Sequence, residues 1–179
     1  QIAANGITNS LVGISISFAS AMNLAIVTVV GQCVGAGDYN QASYYTKKLT
    51  KVTYIATLII SLAEIALLPW ILNLYTLSDE VSGLTYILVI IHNVFAIFLW
   101  PLSFTFSNSL RAAGDVRYTM MVSIGSMFIL RIALGYILGV VFSMGVIGIW
   151  VAMGFDWMLR AIIYIVRYKS GKWKDFKVI

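Results

Sequence analysis

Five long apolar runs, at residues 7–34, 52–72, 84–110, 118–142 and 146–168, constrain this chain more than any other feature. A helix crosses a hydrocarbon core of about 30 Å with roughly 20 apolar residues, and each run reaches that length. The runs lack the alternation and the roughly ten-residue length of barrel strands, so the pattern predicts helices. Composition agrees, since 60% of the 179 residues are hydrophobic and only 11% charged, against about 25% charged in a soluble domain. The expected fold is an all-α integral membrane bundle of five transmembrane helices.

The charges predict an orientation. The segments after the first and third runs carry Lys47, Lys48, Lys51, Arg111 and Arg117; the last run has Arg167 next to its end, and the tail at 169–179 holds Lys169, Lys172, Lys174 and Lys177. The opposite side has Asp79 and Glu80 and no Lys or Arg. Because Lys and Arg accumulate on the cytoplasmic side, a multi-pass cell-membrane protein that starts outside and ends with a cytoplasmic tail is expected. With Trp173 and Phe176 among its lysines, the tail suits an anionic headgroup region. The first residue is Gln1 and no basic signal-peptide region precedes the first run, so the chain is expected to begin inside a longer protein.

Ionisable residues inside the runs are candidate functional groups, because a charge at the bilayer centre costs from about 3 kcal/mol upward unless it is paired or lines a polar pathway. Glu64, Arg131 and Asp156 lie near the centres of the second, fourth and fifth runs, and His92 in the outer half of the third. Asp156 precedes Arg160 by four residues, the favourable helical order for an ion pair. Counted at about 1.5 Å per residue, Arg131 differs from Asp156 in depth by about 6 Å, so it is the other candidate partner. An intramembrane tie of Asp156 with Arg131 or Arg160 is expected. Glu64 has no cation nearby in sequence, which leaves it either neutral or paired with Arg131 from another helix. Glu64 and Asp156 are therefore the proton-coupling candidates, Glu64 foremost. His92 beside Asn93 reads as an interfacial residue near a helix end.

Other features concern helix contacts. Gly13, Ser17, Ala21 and Ala25 recur every four residues, with Asn9 one turn earlier; this small-residue face either packs closely on another helix or borders a cleft. Gly135 and Gly139 form a further small-residue pair. Pro101 interrupts the third run and predicts a kink. With Asn93, Thr105 and Asn108 around it, that helix either lines a water-filled cleft or packs against protein. Pro69 is expected to end the second helix. Ala-Gly-Asp occurs twice, at 36–38 and 113–115. In both copies the Gly is expected to end one helix in left-handed geometry and the Asp to cap the next. Around the second copy, Arg111, Asp115 and Arg117 are candidates for a charged latch against a part of the longer protein that lies outside this chain. Cys33 is the only cysteine and reads as a small buried hydrophobe. With no metal-ligand cluster, no nucleophile beside a base and no nucleotide loop, neither an enzyme, nor a metal or other cofactor, nor a nucleic-acid partner is expected.

Four ordered stretches carry a resemblance to a known family: VGQCVGAGDYNQA at 30–42 with the basic residues after it, LRAAGDVRY at 110–118, ILRIALGYIL at 129–138, and GVIGIWVAMGFDWMLRAIIYIVRYKSGKW at 145–173. In this order they resemble the carboxy-terminal half of multidrug and toxic compound extrusion (MATE) transporters. The resemblance implies that residues 1–179 are part of a six-helix lobe in a twelve-helix protein whose two lobes alternate access to a central cleft. It further implies export of small amphipathic or cationic compounds in exchange for protons or sodium ions. The partners would be the bilayer and the missing amino-terminal lobe. A flippase of lipid-linked saccharides in the same superfamily is the alternative. The family's coupling carboxylates are usually placed in helices that precede this chain or in the counterpart of its third run. That run holds no carboxylate, and the resemblance assigns no coupling residue here.

Overall fold

A computed structural model describes residues 1–75 and 77–176. Five helices in it are long and apolar enough to cross a membrane: α1 (Ile2–Gly35), α2 (Tyr39–Leu74), α3 (Asp79–Ala112), α4 (Val116–Val141) and α5 (Val146–Lys169). No strand occurs among the described residues. In lipid this is the solution open to such runs, because a helix satisfies its backbone N–H and C=O groups within itself.

The helices extend past the apolar runs. Lys47, Lys48 and Lys51 belong to α2 rather than to a connecting loop, which shrinks to Ala36–Asp38. Polar ends lengthen a membrane helix without loss, since the backbone pairing continues into the headgroup region. Beyond α5 the chain makes a 3-10 turn at Lys172–Lys174; Lys177, expected in the basic tail, lies outside the described residues.

α3 is the central element. It packs against α1, α2 and α5, while α4 is held chiefly by α5. At one end Val12, Leu88, Trp100, Val146, Trp150 and Trp157 join α1, α3 and α5. At the other, Ile26, Val30, Phe106, Leu110, Tyr164 and Trp173 do so. Exposed Ile14, Ile59, Phe98, Ile129 and Ile162 give the bundle an apolar outer surface, as a bilayer requires.

Two prolines behave differently. Pro69 does not end α2, which runs on to Leu74; the single carbonyl its ring leaves unpaired falls in the last turns, where the loss is tolerated. At Pro101 the expected disturbance takes the form of a π-helical segment, Pro101–Thr105. Tyr54 of α2 donates its hydroxyl hydrogen to the Phe98 carbonyl at 2.9 Å beside it.

The small-residue stripe of α1 does not pack within the described bundle. A Cβ at Gly13 would meet no atom within 4 Å, and Ser17 and Ala21 are exposed. The side of α1 that is buried carries larger apolar groups, Leu11, Val12, Ile26 and Val30. Close backbone approach occurs instead between α4 and α5, where a Cβ at Gly148 would lie 2.7 Å from the Gly139 nitrogen.

Candidate functional site

The polar groups that join the helices gather in three places. At the first, α1, α2 and α3 cross around Glu64. Ser15 Oγ donates to Glu64 Oε2 at 2.6 Å, and the Asn93 amide neighbours the same carboxylate. Asn93 Nδ2 is committed to the Val89 carbonyl at 3.0 Å. Two buried oxygens, Glu64 Oε1 and Asn93 Oδ1, have no hydrogen-bond partner. Arg131 is not the partner of Glu64: it lies on α4, which packs on α5, and the groups around Glu64 are neutral.

A cavity of about 20 Å³ adjoins this crossing, lined by Ser15, Thr57, Ser61, His92 and Trp100 among others. That is room for about one water molecule. Ser15 thus faces both the Glu64 carboxylate and the cavity. His92 is not interfacial. It is 3% exposed, edge-on to Trp150 and Trp157 at 5.7 and 5.4 Å, because α3 is the central helix and this face of it meets α5. Its Nδ1 and Trp100 Nε1 are buried without partners.

The second place is the contact of α4 with α5. Asp156, fully buried, pairs with Arg160: Nε donates to Oδ1 at 3.0 Å and Nη2 lies 2.8 Å from Oδ2. Arg160 also donates to Ser126 Oγ at 2.8 Å and to the Ser123 carbonyl at 3.2 Å, so its Nε and Nη2 are both engaged between the two helices. Of the two partners open to Asp156, the structure pairs it with Arg160. Arg131 instead donates to Met153 Sδ at 3.4 Å. It borders an open space of about 200 Å³ shared with Asn5, Asn9 and Trp150.

The third is the basic end of the bundle. Asp115 is 2% exposed and receives Nε and Nη2 of Arg167 at 2.7 and 3.2 Å, with the guanidinium 4.3 Å from the centre of the Tyr118 ring. Arg111 donates to Thr119 Oγ1 at 3.3 Å, and Arg117 is exposed. Asp115 is therefore committed within the bundle, whereas Arg111 and Arg117 are exposed at this end. The carboxylate is already used between α4 and α5, a partnership across 52 residues that local spacing does not reveal.

Of the four cleft-lining candidates, Asn93, Pro101 and Thr105 are buried between helices and Asn108 is half-buried. Thr105 Oγ1 donates to Asn23 Oδ1 of α1 at 2.9 Å, and Ser103 Oγ to the Trp157 carbonyl of α5 at 2.5 Å. The polar groups around Pro101 thus tie α3 to its neighbours. Sequence reasoning missed Ser15 and Asn23. The signal available was a polar side chain on an apolar helix whose depth matches a polar group in another run.

Residues 1–137 match the family model MatE. The chain belongs to the MatE family. Within it, the chain is 22% identical over 167 residues to the "Probable multidrug resistance protein NorM" of Thermotoga maritima, covering 92% of this chain and 36% of that protein. It is 25% identical over 162 residues to the "Uncharacterized transporter YisQ" of Bacillus subtilis, covering 87% and 34%. It is 27% identical over 164 residues to "Protein DETOXIFICATION 36" of Arabidopsis thaliana, covering 88% and 31%. The chain spans about a third of the length of these curated MatE relatives. No solved structure matches it. Family and helices together make this a membrane-embedded chain.

Proposed function

We propose that the whole protein is a secondary active exporter of small amphipathic or cationic compounds, driven by a proton or sodium gradient, and that this chain forms part of its carboxy-terminal lobe. The supporting observation is membership of the MatE family, with relatives named as a multidrug resistance protein and a transporter. In this reading the basic end of the bundle, with Lys47, Lys169 and Lys174, faces the cytoplasm. The apolar outer surface meets lipid, and the open side of α1 and α4, with Arg131, Asn5 and Asn9, faces the rest of the transporter.

Glu64 is the proton-responsive group of this lobe. A proton on Glu64 Oε1 neutralises a buried oxygen that has no hydrogen-bond donor and makes it a donor itself, and the buried Asn93 Oδ1 is an acceptor still unfilled. Loss of that proton leaves a charge held by the Ser15 hydroxyl and by the water-sized cavity beside it. Asp156, held by Arg160, serves as a structural tie instead.

Efflux of a cationic dye by the whole protein in vesicles, under an imposed proton or sodium gradient, tests the activity. Absence of gradient-dependent efflux in a folded preparation rejects it. Glu64→Gln keeps the hydrogen-bonding shape and removes the titration; it is expected to flatten the pH profile of efflux at unchanged expression. A profile that keeps its shape retires Glu64 from this role.

A further inference from the structure

At the basic end of the bundle a cavity of about 490 Å³ opens between the first turns of α2, the last turn of α5 and the 3-10 turn that follows. Lys47, Lys169 and Lys174 line it, so three cationic side chains border it, and Ser43 and Tyr168 line it with two hydroxyl-bearing side chains. Phe106 and Ile165 line its apolar side, and none of its described lining residues is acidic.

The tail builds this site. Gly171, at φ +75°, reverses the chain after α5, a left-handed geometry that glycine adopts without strain. Trp173 then folds back to 2% exposure and stacks on Tyr168, with ring centres 5.2 Å apart and planes within 6°. Its Nε1 donates to the Tyr168 carbonyl at 3.2 Å. Lys174 Nζ is kept 5.5 Å from the centre of the indole. Ser43 Oγ and Tyr168 Oη are 2.7 Å apart. Two hydroxyls sharing one hydrogen bond leave the other O–H free to donate to an anion.

We propose that this cavity binds a phosphate-bearing anion, specifically the headgroup of an anionic phospholipid. Three cations and a free hydroxyl donor supply the charge-assisted hydrogen bonds that phosphate oxygens accept. The volume falls in the range of about 300–1,000 Å³ typical of organic ligands, more than a lone ion requires. The site sits where α5 leaves its apolar run, so a headgroup among the lysines has its glycerol and acyl carbons against Phe106 and Ile165.

The test uses the whole protein in phosphatidylcholine nanodiscs containing a minor fraction of phosphatidylglycerol, with retained lipid measured by mass spectrometry. Lys47→Gln/Lys169→Gln/Lys174→Gln is compared with Lys48→Gln/Lys51→Gln/Lys172→Gln, which removes the same charge outside the cavity. The cavity triple is expected to lose phosphatidylglycerol retention by about tenfold or more and the control triple far less. Equal losses in the two triples would mean diffuse attraction to a basic surface and overturn the site, as would undiminished retention in the cavity triple. Binding of inorganic phosphate to the lipid-free, detergent-solubilised protein with the same lysine dependence would overturn the headgroup assignment. Ser43→Ala, which removes one hydroxyl and no charge, is expected to weaken retention more modestly; an unchanged value would remove the hydroxyl pair from the site.

Discussion

The two Ala-Gly-Asp turns share a backbone and differ in the fate of the aspartate. Gly37 and Gly114 both take positive φ, +77° and +95°. Both turns close with the same pair of bonds, Gly37 N–H to Val34 and Asp38 N–H to Cys33 in one, Gly114 N–H to Arg111 and Asp115 N–H to Leu110 in the other. Asp38, exposed, caps α2 by accepting from the Gln41 N–H at 2.9 Å. Asp115 makes no cap; it is buried and spends both oxygens on Arg167. Burial decides between them. A carboxylate in water gains little beyond a cap, whereas one packed under a neighbouring helix requires a full countercharge. A tripeptide thus encodes a helix turn reliably and the role of its side chain not at all.

Mutations around the turns should separate the shared part from the divergent one. Arg167→Met strands the Asp115 carboxylate and is expected to lower stability by about 2 kcal/mol in thermal unfolding of the detergent-solubilised whole protein. That is less than a fully buried pair loses, because the Arg167 side chain keeps 16% exposure. A loss no larger than that of Asp38→Ala would erase the contrast. Gly37→Ala and Gly114→Ala are expected to lose about 1 kcal/mol each through φ alone; at Gly37 no atom stands within 4 Å of the added Cβ, so a much larger effect there would contradict the shared-backbone account. Asp38→Ala should lose between about 0.5 and 1 kcal/mol as a missing cap. Asp38→Asn keeps the accepting oxygen and should fall within a few tenths of wild type, whereas Asp115→Asn should not.

What was legible followed one-dimensional rules. Apolar length revealed five helices, and the four-residue spacing of Asp156 and Arg160 revealed a pair that the structure contains. Helix ends were less legible, because hydropathy stops at Val52 while hydrogen bonding does not, and because Pro69 removes one backbone hydrogen bond without ending α2. The groups around Glu64 were illegible for a different reason. Ser15 is 49 residues from Glu64, and its hydroxyl looks no different in sequence from that of Ser17, which merely bonds back to Gly13. Rotation about the helix axis separates the two, and only packing fixes that rotation.

The π segment of α3 sets such a rotation. Before Pro101 the buried positions follow one face: Thr85, Leu88, Val89, His92, Asn93, Ala96, Trp100. After it, Ser103, Thr105, Phe106, Ser107, Ser109 and Leu110 are buried on nearly every side. The widened turn works as a phase slip between two gears on one shaft, letting the upper half mesh with Glu64 and the tryptophans while the lower half meshes with Asn23 and Tyr168. Deleting one residue from the regular helix just beyond it, where no slack exists, would shorten the shaft by only about 1.5 Å, yet turn one half against the other by about 100°. Every tooth below Pro101 would then meet the wrong groove.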